Sequence, residues 1–246
     1  MQNKLLSVVI PAHNEENCIE STIYEITGKL QKNSIPYEIL VVNDHSTDNT
    51  EEILKDIEQR SPDIRHINNK KSCGFGHAVI SGLDDFKGEY VAIMMADNSD
   101  DPEDLVAFYN KACEGYDCVF GTRFHRNSKI VDYPFIKLIL NRLGNIFIQL
   151  LFLHPYNDFT NAFKLFSRTT IEGLRPFLSR HFNLTVELPL KALIRGYSYA
   201  IIPNNWYNRT SGISKFKIKE LGSRYMFIVL YCLLEKLLIC KDYNIK

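Results

Sequence analysis

Residues 37–50 read YEILVVNDHSTDNT. Ile39, Leu40, Val41 and Val42 run without polar alternation, so the strand they predict needs cover on both faces. A polar segment, 44–50, follows at once. Within it Asp48 or Asn49 can cap a helix that reaches about Arg60. A doubly covered strand, a polar turn and then a helix form the repeating unit of a parallel sheet.

The same unit recurs on either side. LLSVVI (5–10) predicts a buried strand and Glu15 to Lys32 a helix. IRHIN (64–68) is a short strand, and a helix follows the glycines at 74 and 76 as far as about Phe86. YVAIMM (90–95), Pro102 to Cys113 and CVFG (118–121) supply strand, helix and strand. The pattern predicts an α/β fold with a mostly parallel central sheet and helices on both faces. In such sheets ligands bind beyond the carboxyl ends of the strands. PAHNEE (11–16), DHSTDNT (44–50) and ADNSDD (96–101) lie at three such ends and together would line a polar cleft.

The third end carries the densest charge. AIMMADNSDDPED (92–104) holds five carboxylates behind an apolar strand. Asp100 or Asp101 can cap the next helix, Pro102 suits a first helical position, and Glu103 and Asp104 suit the positive end of the helix dipole, so 100–104 reads as a helix start. Asp97, on the strand end, is the candidate ligand for a hard divalent cation that would also meet phosphate oxygens. CGFGHAVISG (73–82) reads either as a phosphate cradle or as a helix start where glycine permits close packing. Arg123, in GTRF (121–124), and Arg209 with Lys215, in NRTSGISK (208–215), could grip phosphate. Each is otherwise a solvated basic loop.

The second half is less regular. Residues 134–153 predict a very apolar helix whose Lys137, Asn141, Asn145 and Gln149 form one stripe four residues apart. Such a helix is either deeply buried or laid against lipid, with its stripe facing a polar site. NAFKLFS (161–167) predicts a strand, 184–195 a helix, and about 217–240 a last helix. Within the last, YMFIVLYCLLEKLLIC (225–240) is interrupted by Glu235 and Lys236. At about 1.5 Å per residue it falls short of the roughly 30 Å hydrocarbon core, and no other apolar run is expected to reach spanning length. It suits the plane of a membrane surface, with Lys215, Lys217, Lys219 and Arg224 toward anionic headgroups. The alternatives are core packing against the sheet with a solvated basic loop, or a face for a membrane-anchoring partner or a second copy of the chain. The division expected is 1–212 as one catalytic unit and 213–246 as a basic, apolar helical segment.

Composition sets outer bounds. Lys plus Arg equals Asp plus Glu, giving a formal net charge of zero, so no nucleic acid partner is expected. The six cysteines show no metal-site spacing, which favours free thiols in a reducing compartment. No signal peptide is expected, because 5–10 is too short and runs into Pro11.

Taken in order, VVIPAHNEE, YEILVVNDHSTDNT, GFGHAVISGL, MMADNSDDPED, GTRF, NDFTNAFKLF and RTSGISK resemble the family 2 glycosyltransferases of GT-A fold. The nearest likeness is to the dolichol-phosphate mannosyltransferase-like branch, over roughly residues 5–220. That resemblance implies a nucleotide pocket lined by Pro11, His13 and Glu15, with Asp44 reaching base or ribose. It makes Ala96 and Asp97 part of the donor site and Asp97, helped by Ser99, the holder of Mg or Mn. Arg123, Lys137 and Asn141 would contact the acceptor phosphate, Asp158 falls in the loop before the later strand and Glu187 on the following helix, and Arg209 and Lys215 would close over the donor. It implies an enzyme on the cytoplasmic face of a membrane, moving a hexose from a nucleoside-diphosphate sugar to a polyprenyl phosphate with inversion. Two rivals stay open: transfer to a sugar hydroxyl in cell-surface polysaccharide synthesis, with Asp100 or Asp101 as base, and a nucleotide-sugar-binding module without catalysis. The second is raised by Met95, which stands where the family usually has the first carboxylate of Asp-Ala-Asp. Ser99 and Asn141 also depart from the residues usual at their positions.

Overall fold

The computed structural model describes residues 4–208 and 218–238. The first half alternates as expected: β1 (Leu6–Ala12), α1 (Ile19–Lys32), β2 (Tyr37–Asn43), α2 (Thr50–Arg60), β3 (Ile64–Asn68), α3 (Phe75–Asp85), β4 (Tyr90–Ile93), α4 (Pro102–Cys113) and β5 (Cys118–Thr122). The second half holds β6 (Ile130–Val131), α5 (Phe135–Phe152), β7 (Lys164–Ser167), α6 (Arg168–Gly173), α7 (Leu184–Ile194), β8 (Tyr199–Pro203), β9 (Trp206–Tyr207) and α8 (Ile218–Leu238).

One sheet runs in the order β3-β2-β1-β4-β7-β5-β8, and β6 pairs with β9 beside it. All partners in the large sheet are parallel except β7, which runs antiparallel between β4 and β5. Successive strand residues feed opposite cores. Leu6, Val8, Ile10 and Ala12 pack toward α1, α2 and α4, while Val9 joins α3 and α7 on the other face. The parallel order sets the carboxyl ends of β2, β1 and β4 side by side, so the three polar segments share one rim.

Among the boundaries that differ from expectation, two have a visible cause. α1 starts at Ile19 because Glu15 O accepts from the backbone N of Cys18 and Ile19, closing a turn, while Glu15 N donates to Thr50 Oγ1 at 2.9 Å. β4 ends at Ile93: Met94 N still donates to Val9 O, but Met95 N turns away to the Asp100 carboxylate at 3.0 Å.

The glycines before and within α3 serve close packing. A Cβ on Gly76 would lie 2.5 Å from the Arg180 carbonyl carbon, and one on Gly82 would collide with Val9. Of the two readings of 73–82, the packed helix start is the one these contacts support.

The helix α5 is neither deeply buried nor evenly solvated. Phe135 is 73% and Leu150 70% exposed, with Ile136, Ile139, Leu143 and Phe147 on the same outer surface. By length and composition it is the one helix among the described residues apolar enough to cross a membrane, contrary to the sequence expectation. Its polar stripe is too narrow to lower its average apolarity. The stripe faces protein: Asn141 and Asn145 both donate to Thr160 Oγ1, at 2.8 and 3.1 Å, and Gln149 donates to Pro155 O.

The charges that interrupt α8 fasten it to the domain. Glu235 is buried and receives Arg195 Nε at 2.7 Å, joining α8 to the end of α7. Lys236 donates to Phe152 O, the last residue of α5. Ile228, Val229 and Cys232 fill the core, whereas Phe227, 62% exposed, Leu230, Leu234 and Leu237 face outward.

Candidate active site

Three polar loops meet at the rim. His13, at the end of β1, donates through Nδ1 to Asp44 O at 2.5 Å. Asp44, at the end of β2, is buried and receives Asn69 Nδ2 at 2.7 Å and Gly74 N at 2.8 Å. Burial alone would raise this carboxyl. The bonds from Asn69, Gly74, His45 and Cys73 outweigh it and hold the pKa below the ordinary value. The floor is thus a fixed carboxylate with a ring above it, an arrangement suited to the donors of a base or ribose. Pro11 is buried within β1 opposite Val42, and Glu15 anchors the following turn.

The loop after β4 is bound to α1. Thr22 Oγ1 donates to Ala96 O at 3.0 Å and to Asn98 Oδ1, and Asn98 Nδ2 donates to Ser21 Oγ at 2.9 Å. Asn98 accordingly takes a left-handed backbone, with φ of 56°, where its short polar side chain can bond locally. The tight turn presents Asp97, whose Oδ1 accepts from Ser99 N at 3.2 Å. Asp97 and Ser99 are both buried.

Asp101 caps α4, accepting from Glu103 N at 3.0 Å, as the helix-start reading requires. Asp100 does not belong to the cap, and this corrects that reading. Its side chain is buried and folds back to Met95 N, while its backbone bridges Trp206. Burial pushes its carboxyl up to about 7; the Met95 bond opposes this and repulsion from Asp97 adds to it. The turn brings two carboxylates together although the residue at 95 is Met. Nothing in the spacing of the acidic run distinguishes Asp100 from Asp101; the turn at Asn98 does.

A second cluster stands beyond β5. Arg123 is buried and gives Asp158 three bonds: N at 2.9 Å and Nε at 2.8 Å to Oδ2, and Nη2 at 2.7 Å to Oδ1. Desolvation would lower the Arg123 pKa, but the Asp158 pair more than reverses it. Thr160 Oγ1, 3.5 Å from Arg123 Nη2, links this pair to Asn141 on α5. The Tyr133 ring lies 5.8 Å from the Arg123 guanidinium and 5.6 Å from Lys137 Nζ. Arg123, Asp158, Lys137 and Asn141 therefore do assemble.

Lys164, Tyr133 and Thr160 were not singled out in the sequence. Buried Lys164 donates to the carbonyls of Phe159 and Asn161 and so braces the loop that carries Asp158. Burial lowers its pKa to about 7, with Asp158 opposing. Glu187 lies elsewhere: it pairs with buried Lys191 at 2.6 Å and receives Leu178 N and Ser179 N, a structural role. Arg209 and Lys215 lie outside the described residues. Asp100 feels the charges of both Asp97 and Arg123, so it lies between the two clusters in electrostatic range of each.

A mostly parallel sheet covered by helices, with an aspartate turn beyond β4 and a basic cluster beyond β5, is an architecture of the GT-A glycosyltransferase fold. The sequence profile described as glycosyl transferase family 2 matches residues 7–175, and the chain belongs to that family of enzymes. It is 27% identical over 233 residues to the polyprenol monophosphomannose synthase of Mycolicibacterium smegmatis, covering 88% of this chain and 86% of the relative. It is 29% identical over 223 residues to the dolichol-phosphate mannosyltransferase of Pyrococcus furiosus, covering 88% of this chain but 60% of the relative. Among solved structures, the glucosyl-3-phosphoglycerate synthase of Mycobacterium tuberculosis, in complex with Mn2+, UDP and phosphoglyceric acid, superposes with a TM-score of 0.69. At 22% identity it covers 96% of this chain and 79% of that one, a likeness of fold.

Proposed function

We propose that the protein transfers a hexosyl group from a nucleoside-diphosphate sugar to a polyprenyl phosphate, with inversion, at the cytoplasmic face of a membrane. One observation carries this reading. α5 bears on one side the Asn141 amide that joins the Arg123–Asp158 cluster, and on the other an exposed apolar face. An acceptor with an anionic head and a hydrocarbon tail matches both faces. The exposed side of α8 extends the apolar surface, and residues 213–246 would form the surface-binding segment of a catalytic unit spanning 1–212. The names of the relatives agree with this acceptor class.

His13 and Asp44 would orient the nucleoside. Asp97, Ser99 and Asp100 offer only oxygen, the donor chemistry of Mg or Mn, and Met95 offers none to a hard ion. One or two carboxylates with substrate phosphates are a sufficient set for such an ion, so the residues fit, with Asp97 and Ser99 as its holders. The metal would neutralise charge on the diphosphate. An acceptor phosphate oxygen attacks the anomeric carbon, and the bond to the nucleoside diphosphate breaks with its electron pair going to that diphosphate. A phosphate monoester is largely ionised near neutral pH, so no strong base is required. Arg123, held rigid by Asp158, fixes the attacking group, and Lys137 offsets the approach of two anions. Arg209 and Lys215 would act on the donor.

The buried Asp100 carboxyl supports a second reading. A base with a pKa of about 7 would suit a sugar hydroxyl acceptor. The test is transfer of labelled hexose from a panel of nucleoside-diphosphate sugars, with Mg2+ or Mn2+, to a short-chain polyprenyl phosphate and to sugar acceptors. Transfer to the phosphate but not to its parent alcohol supports the proposal. Transfer only to hydroxyls overturns it, and donor binding without turnover would mark a binding module.

A further inference from the structure

We infer that Arg142 is a third cation of the acceptor-phosphate site and gives it the charge to hold a phosphate monoester dianion. The inference rests on the lipid-phosphate reading above and concerns a residue outside that mechanism. Arg142 follows Asn141 on α5 and is half-buried. Its guanidinium lies 4.4 Å from the centre of the Phe124 ring, and the Arg123 guanidinium lies 5.6 Å from the same ring. One ring face system therefore gathers two like charges that would otherwise repel, each favoured by the aromatic quadrupole.

The two are compensated differently. Arg123 has Asp158. Arg142 has no carboxylate partner among the described residues, and its Nη1 is buried without a hydrogen-bond acceptor. A guanidinium N–H kept from water and from any acceptor is costly, and deprotonation cannot relieve it because arginine does not lose its charge. Supplying the acceptor from an anionic ligand removes that cost on binding. The partner chemistry follows from the charge. The Arg123–Asp158 pair supplies geometry but little net charge, whereas a phosphate monoester carries about −1.5 to −2 near neutral pH. A second guanidinium beside the pair provides the missing charge and a planar donor fork for two phosphate oxygens.

The experiment uses the full chain with divalent metal. Acceptor and donor KM are measured for Arg142→Met, which keeps the stem on Phe124, and for Arg142→Lys, which keeps the charge. Binding of a short-chain prenyl phosphate, of inorganic phosphate and of vesicles carrying a phosphodiester lipid is titrated separately. Arg142→Met is expected to raise acceptor KM and prenyl phosphate Kd by about 10–100-fold, the scale of one or two charged hydrogen bonds. Donor KM stays as in the wild type, melting temperature does not fall, and Arg142→Lys recovers part of the loss. Inorganic phosphate should compete more weakly in Arg142→Met. Vesicle binding, governed by the apolar faces, should change little.

An unchanged acceptor KM and Kd in Arg142→Met would overturn the inference while leaving the transfer reading intact. A lowered melting temperature with donor and acceptor KM raised together would also overturn it, by making Arg142 a packing residue. A loss confined to vesicle binding overturns it as well, in favour of a bulk-lipid contact. If the wild type fails to transfer to prenyl phosphate yet binds it in an Arg142-dependent way, the transfer reading fails and the anion site stands.

Discussion

The ends of β2 and β4 on one side, and of β5 on the other, belong to one sheet but hold their polar groups by different means. Asp44 is held mainly by neutral donors, the Asn69 amide and the backbone N–H of Gly74, and Asp97 accepts from the backbone N–H of Ser99. Arg123 is held by an opposite charge, Asp158, in a buried pair. Backbone donors fix a carboxylate and leave its charge for a ligand. A buried ion pair fixes geometry and spends most of its charge internally. The first arrangement suits a cation and a nucleoside; the second suits an anion that must be oriented, with net charge supplied by neighbours.

The comparison breaks most visibly at Asp158. Asp158→Ala leaves the buried Arg123 guanidinium unpaired and is expected to cost about 3–5 kcal/mol of stability. Urea unfolding of the variant and the wild type measures it. A loss below about 1 kcal/mol would mean that solvent reaches Arg123 and that the two rims are held alike. Asp97→Ala tests the other side. It is expected to reduce transfer by about 10²–10³-fold, the scale for removing one group that stabilises transition-state charge, with little change in unfolding midpoint. Metal titration of both proteins should show saturable activation only in the wild type. An Asp97→Ala enzyme with full activity would remove Asp97 from the mechanism.

Close packing between β1, α3 and the segment before α7 is the third test. Gly76→Ala places a methyl 2.5 Å from the Arg180 carbonyl carbon. Backbone cannot yield as a flexible side chain does, so a loss of about 1–3 kcal/mol is expected in the same unfolding assay. If the glycine mattered as a phosphate cradle instead, donor KM would rise and stability would hold.

The same contrast explains what the sequence disclosed. Alternation of apolar strands with helices, and the polar loops after β1, β2 and β4, were legible because each rests on neighbours within about ten residues. A cap at Asp100 or Asp101, with Pro102 behind it, was legible for that reason, though not which of the two. Asp100 was hidden by its position in the same acidic run; only the left-handed turn at Asn98 shows that it points back to Met95. The partners Arg123–Asp158 and Arg195–Glu235 are 35 and 40 residues apart, and no periodicity links them. Glu235 therefore looked like an interruption of an apolar helix. Lys164 looked like an ordinary strand residue, because burial of an ammonium among carbonyls leaves no local trace. The stripe on α5 was readable by its spacing, but its facing Thr160 was not.

The smallest effect concerns Asp104, where the strap at 205 meets the start of α4. Its Oδ2 accepts from Asn205 N at 2.6 Å, and the side chain is half-buried. Burial raises its carboxyl to about 6 from 3.8; the Asn205 bond opposes this, and repulsion from Asp101 and Glu103 adds to it. A carboxyl raised on folding keeps its proton longer in the native state than in the unfolded chain. Between about pH 4 and pH 6 the native state thus binds more protons, so this group's contribution falls as pH rises through that window and is level above it. Asp104→Asn keeps an oxygen for Asn205 N and removes the titration. Relative to the wild type, the variant should gain nothing at the acid end and about 1 kcal/mol above the window, the shift being discounted for partial exposure. Urea midpoints across that pH range measure the difference. A gain independent of pH would mean that Asn205 holds the strap by geometry alone. A gain that grows through the window would show that the acidic start of α4 opposes folding, in contrast to the aspartates that the rim fixes for ligands.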